Sequence, residues 1–363
     1  MEKQRYIDVL RALAILAVLM VHVRQQSNNI DHIHPYIVAI IDNGSRGVQL
    51  FYMLSAFTLM LSFSYRSAYE RTPIKNYFIR RFFRIAPLYY LAIVYYLWQD
   101  GFGPRHWLGD AKFISAANIV SNFSFLHGFN PYWITSIVPG GWSIAVEVMF
   151  YFLLPFLFAK IKSIGDAFTF TIITLVFKAA LLYVLQSHSL ISAGDLWQEY
   201  LFLYFPNQLP VFALGILLYF IIRDKDRLTL SPKHLFFGFV IAVFSFCIQQ
   251  NLIFSQIFYF GLAFLLLVLA FEKYHPKLFF NRAIYYIGKI SYTIYLTHAA
   301  AIYILHKLSA FNLISGTREP LVIANYLLNY LMVLGISVIL SSVLYYTIEW
   351  PMQQLGRKLI KAN

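Results

Sequence analysis

Ten long apolar runs constrain what this chain can fold into more than any other feature. They occupy residues 6–23, 47–65, 82–99, 141–159, 167–186, 207–222, 235–250, 253–271, 284–305 and 323–348. A helix needs about 20 mostly apolar residues to cross a bilayer, whereas a barrel strand needs about ten with alternating polarity. Only 12% of the residues are charged, against about 25% in soluble domains. We therefore predict an all-α, polytopic transmembrane bundle of about ten helices, forming one membrane domain over residues 1–363 with no appended soluble domain.

The basic residues are distributed unevenly between the two ends of these predicted helices. If the N-terminus is cytoplasmic, the segments on that side carry 21 Lys and Arg residues and the opposite segments carry six. This asymmetry follows the positive-inside rule and predicts that both termini are cytoplasmic. The net charge of +13 is spread between apolar runs and does not form one basic patch, so we expect no nucleic-acid partner. The single cysteine, Cys247, excludes a disulfide framework, and we expect no metal site.

Ionisable residues inside the apolar runs are the first candidates for a functional site, because charge in the bilayer is costly and usually serves a partner or a pathway. The first run contains Asp8, Arg11 and His22. Asp8 and Arg11 are three residues apart and can pair on one helix face. Arg11 and His22 share that face about 16 Å apart along the axis. Arg11 can alternatively extend toward the inner surface together with Asp8.

Three ionisable groups from three predicted helices lie at similar depth. His22 approaches the outer end of the first helix, Glu147 lies about two turns into the fourth, and His298 lies about 14 residues into the ninth. We therefore hypothesise that they converge on one site. His298 is equally well explained as a packing residue bonded to a backbone carbonyl. Arg80, Arg81 and Arg84 can likewise be topology signals alone.

The longest predicted outer loop, about 100–140, is rich in aromatic and polar residues. Loops of this length are usually functional or disordered. Trp and Tyr are also typical of membrane interfaces. The loop is therefore either an interfacial belt or a substrate-binding lid.

Six segments carry motifs that occur in order along nearly the whole chain. They are Arg11-x10-His22; Ser55-Ala56-Phe57; the basic FIRRFFRIAPLYYL stretch at 78–91; Trp142-Ser143-x3-Glu147-x2-Phe150-Tyr151; IGKISYTIYLTHA at 287–299; and YYTIEWP at 345–351. Together they resemble the acyltransferase-3 family of integral membrane O-acyltransferases. The family usually has Gly where this chain has Ala56, and that change leaves less room for close packing of the second helix.

The resemblance implies a ten-helix enzyme of the bacterial inner membrane. Such an enzyme takes an acyl group, most often acetyl from acetyl-CoA, and transfers it to a sugar hydroxyl of O-antigen, capsule or another glycan. The expected partners are membrane lipid, a carbohydrate acceptor and acyl-CoA as cosubstrate, with no permanently bound cofactor. Some members carry a fused hydrolase-like domain, and we expect this chain to perform the transfer itself.

Acyl transfer to an alcohol requires a base for the hydroxyl proton and stabilisation of an oxyanion. We hypothesise that His22 is the base, or forms an acyl-imidazole, and that Glu147 orients it. We expect Arg80, Arg81 and Arg84 to bind the phosphates of acyl-CoA, because Arg can contact a phosphate through two hydrogen bonds. The residues expected to support the site or bind substrate are Asp8, Arg11, Ser55, Trp142, Ser143, Tyr151 and His298.

Two other classes of membrane protein compete with this interpretation. A transporter or flippase also uses intramembrane His, Glu and Arg, although the sequence has no repeated halves. A glycan polymerase acting on lipid-linked saccharides would use the large aromatic loop. Gly141-Trp142-Ser143 approximates the start of a G-x-S-x-G nucleophile elbow, but that elbow requires a preceding strand.

Overall fold

The computed structural model describes residues 4–223 and 255–361, together with residues 232, 233, 235, 236 and 239. Within these residues the chain is helical and contains no β-strand. The α-helices are α1 (Arg5–Gln26), α2 (Pro35–Asp42), α3 (Gly47–Ser67), α4 (Pro73–Asp100), α5 (Ala116–Phe123), α6 (Gly141–Lys160), α7 (Ile164–Ser187), α8 (Gly194–Leu203), α9 (Phe205–Arg223), α10 (Gln256–Lys273), α11 (Arg282–Lys289), α12 (Ser291–Lys307), α13 (Glu319–Leu344) and α14 (Trp350–Lys361). A π-helix at Tyr345–Glu349 joins α13 to α14.

The described part of the chain has seven helical segments that are long and apolar enough to cross a membrane. They are Arg5–Gln26, Pro35–Ser67, Gly141–Lys160, Ile164–Ser187, Gly194–Arg223, Gln256–Lys273 and Glu319–Ile360. Each overlaps one of the ten predicted runs. The all-α prediction is confirmed for the described residues, and the protein is a multi-pass membrane protein.

The remaining three predicted runs differ in their outcome. Residues 82–99 lie inside α4, a continuous helix of 28 residues whose arginines and tyrosines lower its hydropathy. Residues 284–305 do not form one helix, because α11 ends at Lys289 and α12, with 17 residues, begins at Ser291. Residues 235–250 fall almost wholly outside the described residues, as does Cys247. The number of spans and the side of each terminus stay predictions.

The described helices form two compact units. Unit 1 contains α1, α2, the first part of α3 up to Leu54, and α10 to α13. Unit 2 contains α3 from Ser55 onward, α4 to α9, and α14. His22 and His298 belong to unit 1, and Glu147 and the three arginines belong to unit 2.

In unit 1, glycines let neighbouring helices touch the backbone of α1. A Cβ atom at Gly47 or at Gly288 would overlap a backbone carbonyl oxygen of α1, that of Ala14 or that of Asp8 respectively. Small residues at helix contacts allow this close approach in membranes, where packing and hydrogen bonding hold helices together. The glycine at the start of α3 and the one near the end of α11 therefore fix the position of α1.

The C-terminal half of α1 is also held by hydrogen bonds from α13 and from the loop before it. The hydroxyls of Tyr326 and Tyr330 donate to the backbone oxygens of Met20 and Leu16, at 3.2 and 3.1 Å. The Nδ2 atom of Asn312 donates to the oxygen of Gln26 at 3.0 Å. These bonds fix the turn of α1 that carries His22.

In unit 2, α14 packs along α4. A Cβ at Gly356 would lie 2.9 Å from Cβ of Phe83, so the two helices are in close contact there. The carboxylate of Glu349, directly before α14, is 3.5 Å from Nη1 of Arg84 on α4. α6 contacts α9 through the stacked rings of Phe150 and Phe212, whose centroids are 4.2 Å apart.

Candidate active site

Two histidines meet inside unit 1. The ring centroids of His22 on α1 and His298 on α12 are 4.8 Å apart, and the ring planes are tilted by 35°. His298 is buried, with an exposed fraction of 2%, whereas His22 is partly exposed. The structure therefore brings together two of the three ionisable groups that the helix depths predict to converge.

Hydrogen bonds to Nδ1 define which nitrogen of each ring is available for chemistry. Nδ1 of His298 lies 2.7 Å from the backbone oxygen of Tyr295, an atom that only accepts, so Nδ1 carries the proton. Nδ1 of His22 lies 3.1 Å from Oε1 of Gln25 and can donate to it in the same way. In this tautomer each Nε2 has a free lone pair. His22, the more accessible ring, can then accept a proton from a substrate.

Asp8 and Arg11 form the predicted local pair at the other end of α1. Nη1 of Arg11 lies 3.6 Å from Oδ1 of Asp8, and their side chains are 26% and 14% exposed. A paired Asp and Arg cost much less within a membrane than isolated charges. This pair lies in the N-terminal part of α1, and the histidine pair involves its C-terminal part.

Glu147 is held by two hydroxyl groups within unit 2. Its Oε1 accepts from Oγ of Ser55 at 2.6 Å and from the phenol of Tyr151 at 2.7 Å. These short bonds fix the carboxylate in one position. The structure thus joins three predicted site residues in one network. The predicted role of Glu147 in orienting His22 stays a prediction.

The three arginines of α4 have different surroundings. Arg80 donates from both Nη atoms to Glu70, at 2.8 and 3.1 Å. Arg84 pairs with buried Glu349 at 3.5 Å. Arg81 forms no ion pair with the described residues of unit 2, and its guanidinium lies over the ring of Tyr151, 5.9 Å from the centroid. Arg81 is therefore the cation of this cluster with the fewest internal interactions.

The Gly140-Gly141-Trp142-Ser143 segment forms the entry to α6. Gly140 adopts φ +74°, in the left-handed region that glycine tolerates best. Oγ of Ser143 donates to the backbone oxygen of Gly140 at 2.9 Å, and Ser143 is buried. Its hydroxyl thus stabilises the start of α6. Trp142 is partly exposed in the first turn of the same helix.

Sequence reasoning missed Gln25 and the Tyr295 carbonyl as partners of the two histidines. Gln25 follows His22 by three residues, a spacing at which side chains on one helix face meet. That spacing was a usable signal. The carbonyl of Tyr295 gave none, because every residue carries the same backbone oxygen.

Comparison with known proteins gives the chain its family. The sequence model of the acyltransferase-3 family, described as an acyltransferase domain, matches residues 4–346. The chain belongs to this family. The resemblance seen in the six motifs is therefore confirmed, and the match covers both histidines, Glu147 and the three arginines of α4.

Individual relatives share only 24% to 28% of the aligned residues with this chain. The chain is 24% identical to "Putative O-acetyltransferase SACOL0978" of Staphylococcus aureus strain COL, over 99% of this chain and 59% of the relative. It is 28% identical to "Peptidoglycan O-acetyltransferase OatA" of Listeria monocytogenes serovar 1/2a, over 41% of this chain and 23% of the relative. The chain thus spans about three fifths of the length of the first of these curated relatives. No solved structure matches it.

Proposed function

We propose that this protein is an integral membrane O-acyltransferase that transfers an acyl group, acetyl from acetyl-CoA, to a hydroxyl of a cell-surface carbohydrate. The contact between His22 and His298 carries the proposal, because it places an accessible imidazole at a fixed position and leaves one nitrogen free. Family membership and the names of the relatives support the reaction class. We place the enzyme in the bacterial inner membrane.

His22 acts as general base in the proposed reaction. Its Nε2 removes the proton from the acceptor hydroxyl, whose oxygen attacks the thioester carbonyl carbon. The tetrahedral intermediate collapses with cleavage of the carbon–sulfur bond, and coenzyme A leaves as a thiol after taking up a proton. The products are the O-acyl glycan and free coenzyme A. Gln25 holds the tautomer of His22 that this step requires.

Arg81 is the best candidate among the arginines for contact with the coenzyme A phosphates. Arg80 and Arg84 already pair with Glu70 and Glu349, so recruiting them to a ligand would break an existing ion pair. An arginine without such a pair can offer its donors to a phosphate at lower cost. Arg80 and Arg84 then contribute mainly by adding positive charge and by positioning α4.

The decisive test uses His22→Ala with His32→Ala as the matched control. His32 is an exposed histidine ten positions further along the chain, in the short 3-10 turn Ile30–His32. Both proteins are purified in detergent and incubated with radiolabelled acetyl-CoA and a panel of oligosaccharide acceptors. We expect label on the glycan with wild type and His32→Ala, and a loss of at least about a hundredfold with His22→Ala.

Three outcomes contradict parts of this proposal. Full activity of His22→Ala would remove the histidine from the mechanism. Movement or elongation of a lipid-linked glycan by the wild-type protein without label transfer would support a flippase or a polymerase instead. Unchanged acetyl-CoA affinity of Arg81→Ala would exclude Arg81 from donor binding.

A further inference from the structure

A pocket of about 300 Å³ opens in unit 2, in the segment that connects α4 to α6. Its lining residues all lie between positions 108 and 133 of the sequence, so they include neither His22 nor His298. Its lining combines aromatic and polar side chains: Phe113, Tyr132 and Trp133 with Asp110, Ser115 and Asn118. Ligand pockets of small molecules begin at about this size.

One wall of the pocket contains a buried hydrogen-bond donor without an acceptor. Asn118 is fully buried, and its Nδ2 has no hydrogen-bond partner among the described residues. Its Oδ1 is occupied twice, by Oγ of Ser136 at 2.9 Å and by Nδ2 of Asn122 at 3.0 Å. A buried polar group left without a hydrogen bond is costly, so the unpaired nitrogen of Asn118 calls for an explanation, and a bound partner is one.

A chain of hydrogen bonds behind the wall fixes the orientation of this amide. The hydroxyl of Tyr89 donates to Oδ1 of Asn122 at 3.3 Å, which directs Nδ2 of Asn122 toward Asn118. Nε2 of His127 lies 3.1 Å from the same hydroxyl and donates to the backbone oxygen of Gly141. Burial lowers the pKa of His127 to about 4, so this ring is neutral at pH 7. The amide of Asn118 therefore presents its nitrogen, and not its oxygen, as the free group.

The aromatic side of the pocket is also fixed in place. Gly109 has φ +57°, and a Cβ there would lie 2.7 Å from the ring of Tyr132. The ring thus packs directly on the glycine backbone. Arg105 donates to the backbone oxygens of Gly101 and Ser136, both at 2.8 Å, and ties the two ends of the segment together. The pocket is preformed, which reduces the entropy lost when a ligand binds.

We propose that this pocket binds a sugar residue of the acceptor glycan. Aromatic rings can cover the apolar face of a pyranose, while a carboxylate at the rim accepts hydrogen bonds from its hydroxyls and the amide nitrogen in the wall can donate one. Asn118 requires an acceptor, which a hydroxyl or an acetamido carbonyl of a sugar supplies. The exposed carboxylate of Asp110 requires donors, which sugar hydroxyls supply. This inference rests on the proposed carbohydrate acceptor and names where that acceptor binds.

Two exposed phenylalanines of the same loop provide a matched pair of variants. Phe113 is 66% exposed and lines the pocket, whereas Phe129 is 65% exposed and does not. Truncating either removes the same side chain and similarly little buried surface. The full-length protein in detergent is titrated with three oligosaccharides, a neutral hexose tetramer, an N-acetylglucosamine tetramer and a uronic-acid tetramer, and binding is followed by saturation-transfer NMR without any acyl donor.

We expect at least one oligosaccharide to bind wild type and Phe129→Ala equally. Phe113→Ala should weaken that binding several-fold, and Trp133→Ala by roughly tenfold or more. Asp110→Ala changes an exposed position without disturbing the packing, and it should also weaken binding of the oligosaccharide. Binding of none of the three sugars, or equal binding by all variants, would overturn the assignment of the pocket.

Enzyme kinetics separate this inference from the function on which it rests. In acetyl transfer, Trp133→Ala should raise KM for the glycan and leave KM for acetyl-CoA unchanged. If the wild-type protein binds sugar but transfers no label, the proposed reaction fails while the pocket assignment stands. If transfer occurs and Trp133→Ala leaves the glycan KM unchanged, the pocket assignment fails alone.

Discussion

At the scale of single residues, the proposed reaction depends on which nitrogen of His22 is free. The side chain of Gln25 determines this, because its Oε1 accepts from Nδ1 at 3.1 Å and leaves Nε2 as the base. His298 packs against the ring and is itself oriented by the Tyr295 carbonyl. In each of the two histidines, one oxygen accepts a hydrogen bond from Nδ1 and favours the tautomer with a free Nε2.

The role of Gln25 can be tested by removing and restoring the acceptor. Gln25→Leu should lower kcat about tenfold with little change in KM for acetyl-CoA, because an exposed position lets water replace part of the lost bond. Gln25→Glu, which still accepts from Nδ1, should recover most of the activity. Steady-state kinetics of both variants check this. Equal kcat for Gln25→Leu and wild type would show that Gln25 does not position His22.

At the scale of helices, two close contacts between backbones position α1. Gly288 lies against the Asp8 carbonyl, and Gly47 lies against the Ala14 carbonyl. Any side chain at these positions must push α1 away from its neighbours. α1 carries His22, so stability and site geometry depend on the same contacts.

A substitution at Gly288 should therefore be destabilising in proportion to the overlap. Gly288→Ala is expected to lower the free energy of unfolding by about 1–3 kcal/mol, the usual cost of overpacking. Gly335→Ala in α13 is the control, because a Cβ there meets no atom within 4 Å and alanine favours the helix. Thermal denaturation in detergent should show a lower Tm for the first variant only. A Tm equal to wild type for Gly288→Ala would contradict the close packing.

The connection between α3 and α4 depends on one carboxylate. Glu70 accepts from Arg80 and from Nδ2 of Asn76 at 3.0 Å, and Arg66 lies 3.5 Å away. Burial by itself raises the pKa of Glu70, but the bonds from Arg80 and Asn76 and the nearby arginine charges hold it below its usual value. The ionised form is therefore the one that stabilises this connection.

The pH dependence of this stabilisation follows from the lowered pKa. The contribution is complete above the pKa of the unfolded carboxyl, about 4.3, and is lost as pH falls through the lower folded pKa. Glu70→Gln should lower Tm at pH 7, by an amount corresponding to about 1 kcal/mol, and the difference from wild type should shrink below about pH 4. Glu199→Gln, at a position 48% exposed, should show little difference at either pH. A gap that persists unchanged at low pH would refute this role of Glu70.

At the scale of the whole molecule, the charge asymmetry predicts which loops face the cytoplasm. Replacing Cys247 with serine gives a background without cysteine, into which Tyr69→Cys and Phe129→Cys are introduced singly. Both positions are at least 60% exposed. A membrane-impermeant maleimide applied to intact cells should label the second and not the first. Labelling in the reverse pattern would invert the topology and place the aromatic pocket on the cytoplasmic side.

How much of this molecule the sequence predicts depends on whether the determining contact is local. The apolar runs predict the helices, because hydrophobic length is a property of each segment alone. The hydrogen bond from Tyr151 to Glu147 is also local, because the two residues are four positions apart on one helix. Ser55, which also donates to Glu147, is 92 residues away in the sequence, and no spacing rule predicts this hydrogen bond. The break before Ser291 is equally hidden, since the apolar run continues through it.

The position of α1 has a consequence for how the protein is made. α1 is synthesised before α11, α12 and α13, which pack around it in unit 1 and begin at Arg282 or later. At about 5–20 residues per second, a ribosome needs roughly 15–65 seconds to synthesise the chain from the end of α1 to the end of α13. During that interval a helix with charged residues must wait in the bilayer. Asp8 and Arg11 are near enough on α1 to neutralise each other from the start, so the local pair can protect the nascent segment until its permanent neighbours arrive.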